Sequence, residues 1–540
     1  MPPAPPSVAT PTGAHRRWLI LVVLCASVFV VVLDGTIINV TLPTLARDLG
    51  ASTSQLQWIV DSYVLVFAGL LMAAGSLGDR LGRKGTMQVG LVLFAVFSAL
   101  AALSDSPGEL IGWRAAMGIG AALMFPATLA ILVNVFTVPR ERAAAIAVWA
   151  ATAGVAVALG PVTGGWLLEH FWWGSVLMIN VPVIAVALVA IALIVPTSRD
   201  TTIKRFDPVG TLASIAGITV LVWAVIQGPE HGWGSTTSIA AFALAGALLA
   251  GFVAWERRID HPMLDVSVFS NRRFSAGSLA ITFSFFSLFG FVFLVTQYFQ
   301  FVRGYAPLEA GVRTVPFAVF MASTAPLSAR LVERVGTKLV VTGGMVSMAI
   351  GFVVATTNGV DTAYAVIVLA MLFMGGGLGL VAAPATEAIM GSLPPAKAGV
   401  GSAVNDTARE LGGTLGVAIV GSVFSSIYGS RLTDALAGTP MPDEALAVAK
   451  ESVGAAKEVA AQTSATAGPD AGAFVDRAVN SAFIDGWHIG SWVSAAVVLF
   501  GALIAWRFLP ARATDVPSEV APERNDLRQG REDTLTSSLR

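Results

Sequence analysis

Apolar runs of roughly 20 residues, separated by short charged or Gly/Pro-bearing turns, recur along the whole 540-residue chain. That is the length at which an α-helix crosses a bilayer. Read between this punctuation, the pattern predicts about fourteen helices. In the first part they fall near 17–42, 56–77, 86–104, 108–134, 143–166, 174–196, 208–227 and 238–255. The rest fall near 275–301, 309–329, 339–357, 364–390, 398–427 and 485–508. No small-residue cleavage site follows Arg16-Arg17 at signal-peptide distance, so the first run reads as a retained span. The polar remainder is of three kinds: a Pro/Ala/Thr-rich tail over 1–15, a polar tail over 511–540, and an Ala-rich loop over 428–484. Both tails read as disordered. Within the loop, one helix is predicted from Pro442 through Ala461 and an amphipathic one from Phe474 to Phe483. These either cover an outer mouth or form a solvated insert.

Composition agrees with the pattern. Only 12% of residues are charged and the mean hydropathy is +0.74, whereas a soluble domain needs about a quarter charged residues to cover its surface. The net charge of −1 carries no partner information, and no basic patch suggests nucleic acid. The distribution of Lys and Arg is informative. With the N-terminus inside, 24 of the 33 lie in inner segments, seven in outer ones, and Arg114 and Arg409 within spans. This bias fits the positive-inside rule and predicts that both termini are cytoplasmic. Cys25 is the only cysteine, so the chain can form no internal disulfide.

A short motif between the second and third runs fixes the architecture. Gly75-Ser76-Leu77-Gly78-Asp79-Arg80-Leu81-Gly82-Arg83-Lys84 returns, degraded, as Ala329-Arg330-Leu331-Val332-Glu333-Arg334-Val335-Gly336-Thr337-Lys338. Asp79 and Glu333 are 254 residues apart, as are the paired Arg, Gly and Lys positions. Such a repeat in an apolar chain indicates two related membrane halves. The copy follows span 10 rather than span 8, so two spans are inserted and the plan is 6 + 2 + 6. The implied units are 16–198, an inserted pair over 199–258, and 259–510.

Ionisable residues within spans need a reason to be there. Asp34 lies well inside span 1, and Ser27, Asp34 and Thr41 form one polar stripe that should face an aqueous cavity. A carboxylate that alternates between buried and wetted surroundings changes its proton affinity and can exchange a proton for a cationic substrate. A purely structural hydrogen bond to a neighbouring helix is the plainer alternative. Asp61 sits in the first turns of span 2, either as a solvated interfacial group or in cation or proton capture. Arg114 in span 4 stays charged and needs an acidic or carbonyl partner. Span 5 carries Gly154, Gly160, Pro161, Gly164 and Gly165, a hinge and close-packing device. Span 13 carries Arg409 and Glu410, with Glu387 in span 12 nearer the cytoplasm. In span 9, Phe286, Phe289, Phe293 and Gln297 share a face. They form a candidate wall for flat lipophilic ligands, although such residues more often pack helices or face lipid.

No G-x-x-x-x-G-K-[ST] supplies an ATP site, and all five histidines fall in loops or termini. No cofactor is expected, nor an enzyme activity.

Together Leu33 to Pro43, Gly75 to Lys84, Gly160 to Gly165 and the 6 + 2 + 6 plan resemble the 14-spanner drug:proton antiporters (EmrB/QacA type) of the major facilitator superfamily. The resemblance spans nearly all of 15–510. It implies an all-α major facilitator fold and a proton-driven exporter of lipophilic, often cationic compounds in the bacterial cytoplasmic membrane, working as a monomer. By the same resemblance Asp34 is the main proton/cation residue, Asp61 and Glu410 are accessory, and Arg114 modulates proton relay. Asp79, Arg80 and Arg83, with Gly75 and Gly82 of the same motif, gate the inner face. From the reading of the residues themselves, Asp34 and Thr41, with the span-9 face, are the candidate lining of the substrate cavity. Gly160, Pro161, Gly164 and Gly165 form the span-5 signature of exporters, which departs from its extended form at Ala156. The rivals are a dedicated exporter of one endogenous metabolite or lipid and, from a different class, a transport-inactive solute sensor; a facilitator or uptake symporter fits span 5 poorly.

Overall fold

The computed structural model describes residues 14–136, 138–197, 207–259, 262, 266–393 and 398–510. The polar tails beyond Ala14 and Pro510 lie outside the described residues. Fourteen long helices, α1 to α14, run Ala14–Asp48, Thr53–Leu81, Arg83–Ala102, Pro107–Val135, Pro139–His170, Asn180–Ile194, Pro208–Ile226, Thr236–Glu256, Arg272–Gln297, Pro307–Val335, Thr337–Ala355, Tyr364–Met390, Ala398–Leu436 and Pro469–Phe508. Among the described residues 13 helices are long and apolar enough to cross a membrane. The remaining long helix, α5, has 32 residues and packs between α1 and α10.

The helix ends follow local chemistry. Ser52 and Gln55 close a capping box at α2, Asn271 caps α9, and Asp207 caps α7 through the Val209 and Gly210 amides. Proline opens α4, α5, α7, α10 and α14, where its missing N–H costs nothing. The signature turn is a single residue: Gly82, at φ 110°, joins α2 to α3, and Gly336, at φ 87°, joins α10 to α11. Only glycine takes such angles without strain.

The helices α1–α6 and α9–α14 form two bundles, with α7 and α8 as the inserted pair. The repeat extends to backbone contacts. A β-carbon at Gly90 in α3 would lie 2.7 Å from the Gly120 carbonyl oxygen of α4. In the second bundle one at Gly344 in α11 would lie 2.7 Å from the Gly377 oxygen of α12. Helix α7 lies against both α2 and α13, and Gly69 of α2 admits Ile215 of α7 at close range. Large side chains such as Leu81, Val186, Leu193 and Leu503 are mostly exposed, as expected where the solvent is lipid.

Arg17 at the start of α1 pairs with Glu141 at the start of α5, and Glu169 at the far end of α5 meets the start of α10. Lys338, just beyond α10, lies 4.8 Å from the Trp506 ring near the end of α14. The start of α1 and the end of α14 therefore share one face, here called the terminal face. The opposite, loop face carries two short helices, Asp443–Glu451 and Val453–Ala467. One continuous helix was expected there. Ser452 interrupts it with extended backbone and caps the second piece through the Ala455 amide. Conversely, the expected helix 474–483 and the last span are one element, α14, about 60 Å long at 1.5 Å per residue. Hydropathy marks only the lipid-embedded part of a helix that continues into water.

Candidate functional site

Arg114 of α4 reaches across the first bundle to α1, where its Nη1 donates to Asp34 Oδ2; neither side chain reaches solvent. Its Nε donates to the Ile59 carbonyl at 3.1 Å, and the guanidinium lies 4.4 Å from the centre of the Tyr63 ring. The second carboxylate oxygen of Asp34 accepts from Asn180 Nδ2 at 2.9 Å. Asn180 in turn donates to Ser98 Oγ at 3.1 Å, and Ser98 donates to the Leu177 carbonyl at 2.8 Å. The set therefore ties α1, α2, α3, α4 and the start of α6 around one charge pair. Arg114 Nη2 has no hydrogen-bond partner among the described residues.

The stripe on α1 does not face a cavity here. Ser27 and Thr41 are buried and turn their hydroxyls back to the Val23 and Ile37 carbonyls. Asp34 meets an internal guanidinium instead of water, because Arg114 compensates its charge within the bundle. Asn180 and Ser98 escaped the sequence reading, although a lone amide opening an apolar run was an available signal.

Asp61 differs from Asp34 in one respect. It is completely buried, not the solvated interfacial group of the plainer reading, and both of its carboxylate oxygens lack a hydrogen-bond partner among the described residues. Its α2 face points to the other bundle. One turn earlier, Gln57 Nε2 donates to the Val417 and Ala418 carbonyls (3.2 and 3.1 Å) and to Ser422 Oγ (3.3 Å) of α13. One turn later, Leu65 packs with Ala418 and with Val222 and Ile226 of α7. Asp61 thus sits on the seam of α2, α13 and the inserted helix α7.

On α13, Glu410 is partly buried and Asp406 precedes it by one turn, on the same face. Asn405 donates to Asp406 Oδ1 at 3.2 Å, and Thr386 of α12 donates to Asn405 at 2.9 Å. Arg409 donates to Thr386 at 3.3 Å and lies 5.3 Å from the Phe285 ring centre. Asp406 was not singled out from the sequence; its spacing from Glu410 was the signal.

The aromatic face of α9 is taken up by packing. Phe286, Phe293 and Gln297 are buried, and Gln297 bonds back to the Phe293 carbonyl. The α13 glycines make this possible: a β-carbon at Gly413 would lie 3.2 Å from the Phe289 ring, and one at Gly416 would strike the Phe286 backbone. Of that face, Phe289 alone stays half-buried. In this arrangement the face expected as a ligand wall packs against α13 through Phe286 and Phe289.

In α5 the glycines divide their contacts. A β-carbon at Gly160 would lie 2.9 Å from Thr36 Cβ, and one at Gly164 would lie 2.7 Å from Ile37 Cγ1, both on α1 just beyond Asp34. One at Gly165 would lie 2.7 Å from the Leu308 nitrogen of α10, in the second bundle. Ala156 is fully buried, so the departure from the extended motif is accommodated.

Of the signature turn, the side chains of Gly75, Asp79 and Arg80 lie outside the described residues. Gly82 is the hinge described above, and Arg83 donates to the Ala130 carbonyl of α4 at 3.4 Å. The hydrogen bonds described between the bundles cluster towards the loop face. Gln300 Nε2, in the π-turn that ends α9, donates to the Val40 carbonyl at 2.9 Å. The Leu308 amide of α10 donates to Glu169 of α5 at 3.2 Å. The loop helices span the same seam: Thr53 of α2 donates to the Glu451 carbonyl, and Tyr428 of α13 to that of Ala449.

The sequence profile of the Major Facilitator Superfamily matches residues 24–417. The multidrug efflux pump LfrA of Mycolicibacterium smegmatis is 37% identical over 500 residues, covering 93% of this chain and 97% of its own. The tetracenomycin C resistance and export protein of Streptomyces glaucescens is 33% identical, covering 94% of each chain. The methyl viologen resistance protein SmvA of Salmonella typhimurium is 37% identical over 77% of this chain and 84% of its own. Among solved structures, a bacterial homologue of the lysosomal transporter Spinster superposes with a TM-score of 0.62 at 18% identity, covering 92% and 98% of the two chains. The xylose transporter XylE from E. coli does so at 0.57 and 14% identity, with the same coverage.

Proposed function

Because this chain belongs to the major facilitator superfamily, we propose that it is a proton-coupled exporter of lipophilic, often cationic compounds that works by alternating access. Transport rather than catalysis follows from the family and the transporter relatives. The direction of export and the substrate class are supported by relatives named for multidrug efflux and for resistance to methyl viologen, itself a flat dication. The terminal face is assigned to the cytoplasm by its excess of Lys and Arg, in the cytoplasmic membrane. The protein works as a monomer and draws on the proton gradient, with no cofactor.

The observation that carries proton coupling is the contrast between Asp34 and Asp61. Asp34 has a donor for each oxygen, whereas Asp61 sits on the inter-bundle seam with none among the described residues. Burying a carboxylate without donors is costly, and an arriving proton or cation completes such a site. Asp61 and Glu410 receive protons or substrate at the seam, and Asp34 responds through Arg114. Protonating Asp34 removes the charge that holds Arg114, which frees α1 and α4 to shift as the bundles rock. The glycines of α5 transmit that shift from α1 to α10, and Asp79, Arg80 and Arg83 gate the cytoplasmic side.

Proton movement in proteoliposomes, with ethidium-like cations across an imposed pH gradient, tests this reading. Substrate-dependent proton flux in the native chain that vanishes in Asp34→Asn places coupling at Asp34. Flux that survives there but vanishes in Asp61→Asn or Glu410→Gln moves it to the seam. Absence of flux with a chemically broad panel sinks the multidrug reading. One observation favours a second reading: a dedicated exporter of a single product fits the likeness, over 94% of the chain, to a protein named for tetracenomycin C.

A further inference from the structure

A groove of about 450 Å³ opens between α1 and α6 on the flank of the first bundle, lined by residues including Val22, Val23, Ala26, Pro182, Val186 and Ala190. Val22 is 64% and Val186 71% exposed, so the groove opens to the bilayer and not to another helix. Pro182 and Ala190 stand twelve and four residues from the end of α6 at Ile194. At 1.5 Å per residue the groove covers about 6–18 Å of depth below that end. One leaflet of hydrocarbon is about 15 Å deep, so the groove matches one acyl chain.

The end of the groove at the terminal face is cationic. Arg16 Nη2 donates to the Ile194 carbonyl at 3.4 Å. Lys84 Nζ donates to the Ala192 and Val195 carbonyls at 2.9 and 2.8 Å. These carbonyls are the negative end of α6, worth about half a charge. Neither cation meets a carboxylate among the described side chains, whereas Arg17 beside them is paired with Glu141 at 2.9 Å. Two full positive charges against half a negative one leave a net attraction for an anion at headgroup depth. Trp18, 43% exposed, lies at the same level, where aromatic side chains anchor to the interface.

We propose that this groove binds one anionic phospholipid, with its phosphate at Arg16 and Lys84 and one acyl chain between α1 and α6. Charge complementarity selects the headgroup, since a zwitterionic lipid brings its own cation to the same place. Pro182 is two residues beyond Asn180, the donor to Asp34, so the bound chain braces the helix that orients this carboxylate. Assigning the site to the cytoplasmic leaflet rests on the orientation proposed above; the binding itself does not.

Native mass spectrometry of the full chain, titrated with phosphatidylglycerol or phosphatidylcholine, tests the site without any transport assay. One phosphatidylglycerol is expected to remain bound under activation that strips phosphatidylcholine. Arg16→Gln should weaken its binding about fivefold, the usual worth of one basic residue near an anionic lipid surface. Ala190→Trp, which fills the groove without changing charge, should also abolish retention, and Val186→Trp at the open rim serves if Ala190→Trp does not fold. Equal retention of the two lipids overturns the proposal. So does loss in Arg16→Gln with normal retention in both groove-filling variants, which would mean diffuse surface charge. Failure of the export reading leaves these outcomes unchanged.

Discussion

Asp34 and Arg114 form an ion pair with no solvent on either side chain, in a bundle whose other face at α2 holds Asp61 without a donor among the described residues. Two carboxylates in neighbouring helices therefore have opposite circumstances. One is fully provided for inside its own bundle; the other lies on the seam with the second bundle and has no donor among the described residues.

The pair should be strongly coupled in stability. Arg114→Ala strands Asp34 with Asn180 alone, and removing one partner of a buried pair costs about 3–5 kcal/mol. Arg114→Lys keeps the charge but loses the fork that reaches Asp34 and the Ile59 carbonyl together. Thermal unfolding in detergent should show Arg114→Ala well below native. The double variant Asp34→Asn/Arg114→Ala should be less destabilised than the losses of Asp34→Asn and Arg114→Ala added together. Additive losses would mean that the two residues do not act as a pair.

The positions of α1 to α14 were legible because lipid imposes a length and a polarity on every span, and the 254-residue repeat exposed the 6 + 2 + 6 plan. What periodicity cannot tell is which face of a helix meets which neighbour. Hence Asp34 was found, but its partners Asn180 and Ser98, on other helices, were not. The Phe286–Phe293 face looked like a ligand wall because the sequence does not reveal that Gly413 and Gly416 lie opposite. Asp406 was overlooked although it shares a face with Glu410, a relationship visible from spacing alone.

The glycines of the repeated turn should be equivalent. Gly82 and Gly336 have φ of 110° and 87°, where a β-carbon is strained by about 1–3 kcal/mol. Gly82→Ala and Gly336→Ala should each lower the unfolding temperature by a similar amount, whereas Gly154→Ala, with open space around it, should not. A neutral Gly82→Ala would mean that the turn relaxes and that the motif is not held by its backbone.

In α5, backbone and side-chain neighbours predict different penalties. A β-carbon at Gly164 meets the Ile37 side chain first, 2.7 Å from Cγ1 with the Ile37 carbonyl oxygen at 3.3 Å, whereas one at Gly165 meets backbone alone, at 2.5 Å from the Pro307 oxygen and 2.7 Å from the Leu308 nitrogen. Gly165→Ala should therefore depress substrate export in whole cells more than Gly164→Ala at equal expression. The reverse order would show that contact with α1, not with α10, limits the motion.

The loop helices offer the sharpest test of whether the long insert matters to transport. A β-carbon at Gly454 would lie 2.9 Å from Ala46 Cβ and 3.3 Å from Phe301 Cζ, so this point touches α1 and the π-turn after α9 at once. Disulfides place their β-carbons about 3.5–4.5 Å apart, a separation that small helix shifts supply. Ala46→Cys/Gly454→Cys should oxidise readily, and the buried Cys25 offers no competing thiol at this face. If the two helices must leave α1 when the loop face opens, the cross-linked protein loses export and recovers it on reduction. Full export by the oxidised form would make the insert a passive ornament of the second bundle, because a pinned cover cannot also be a gate.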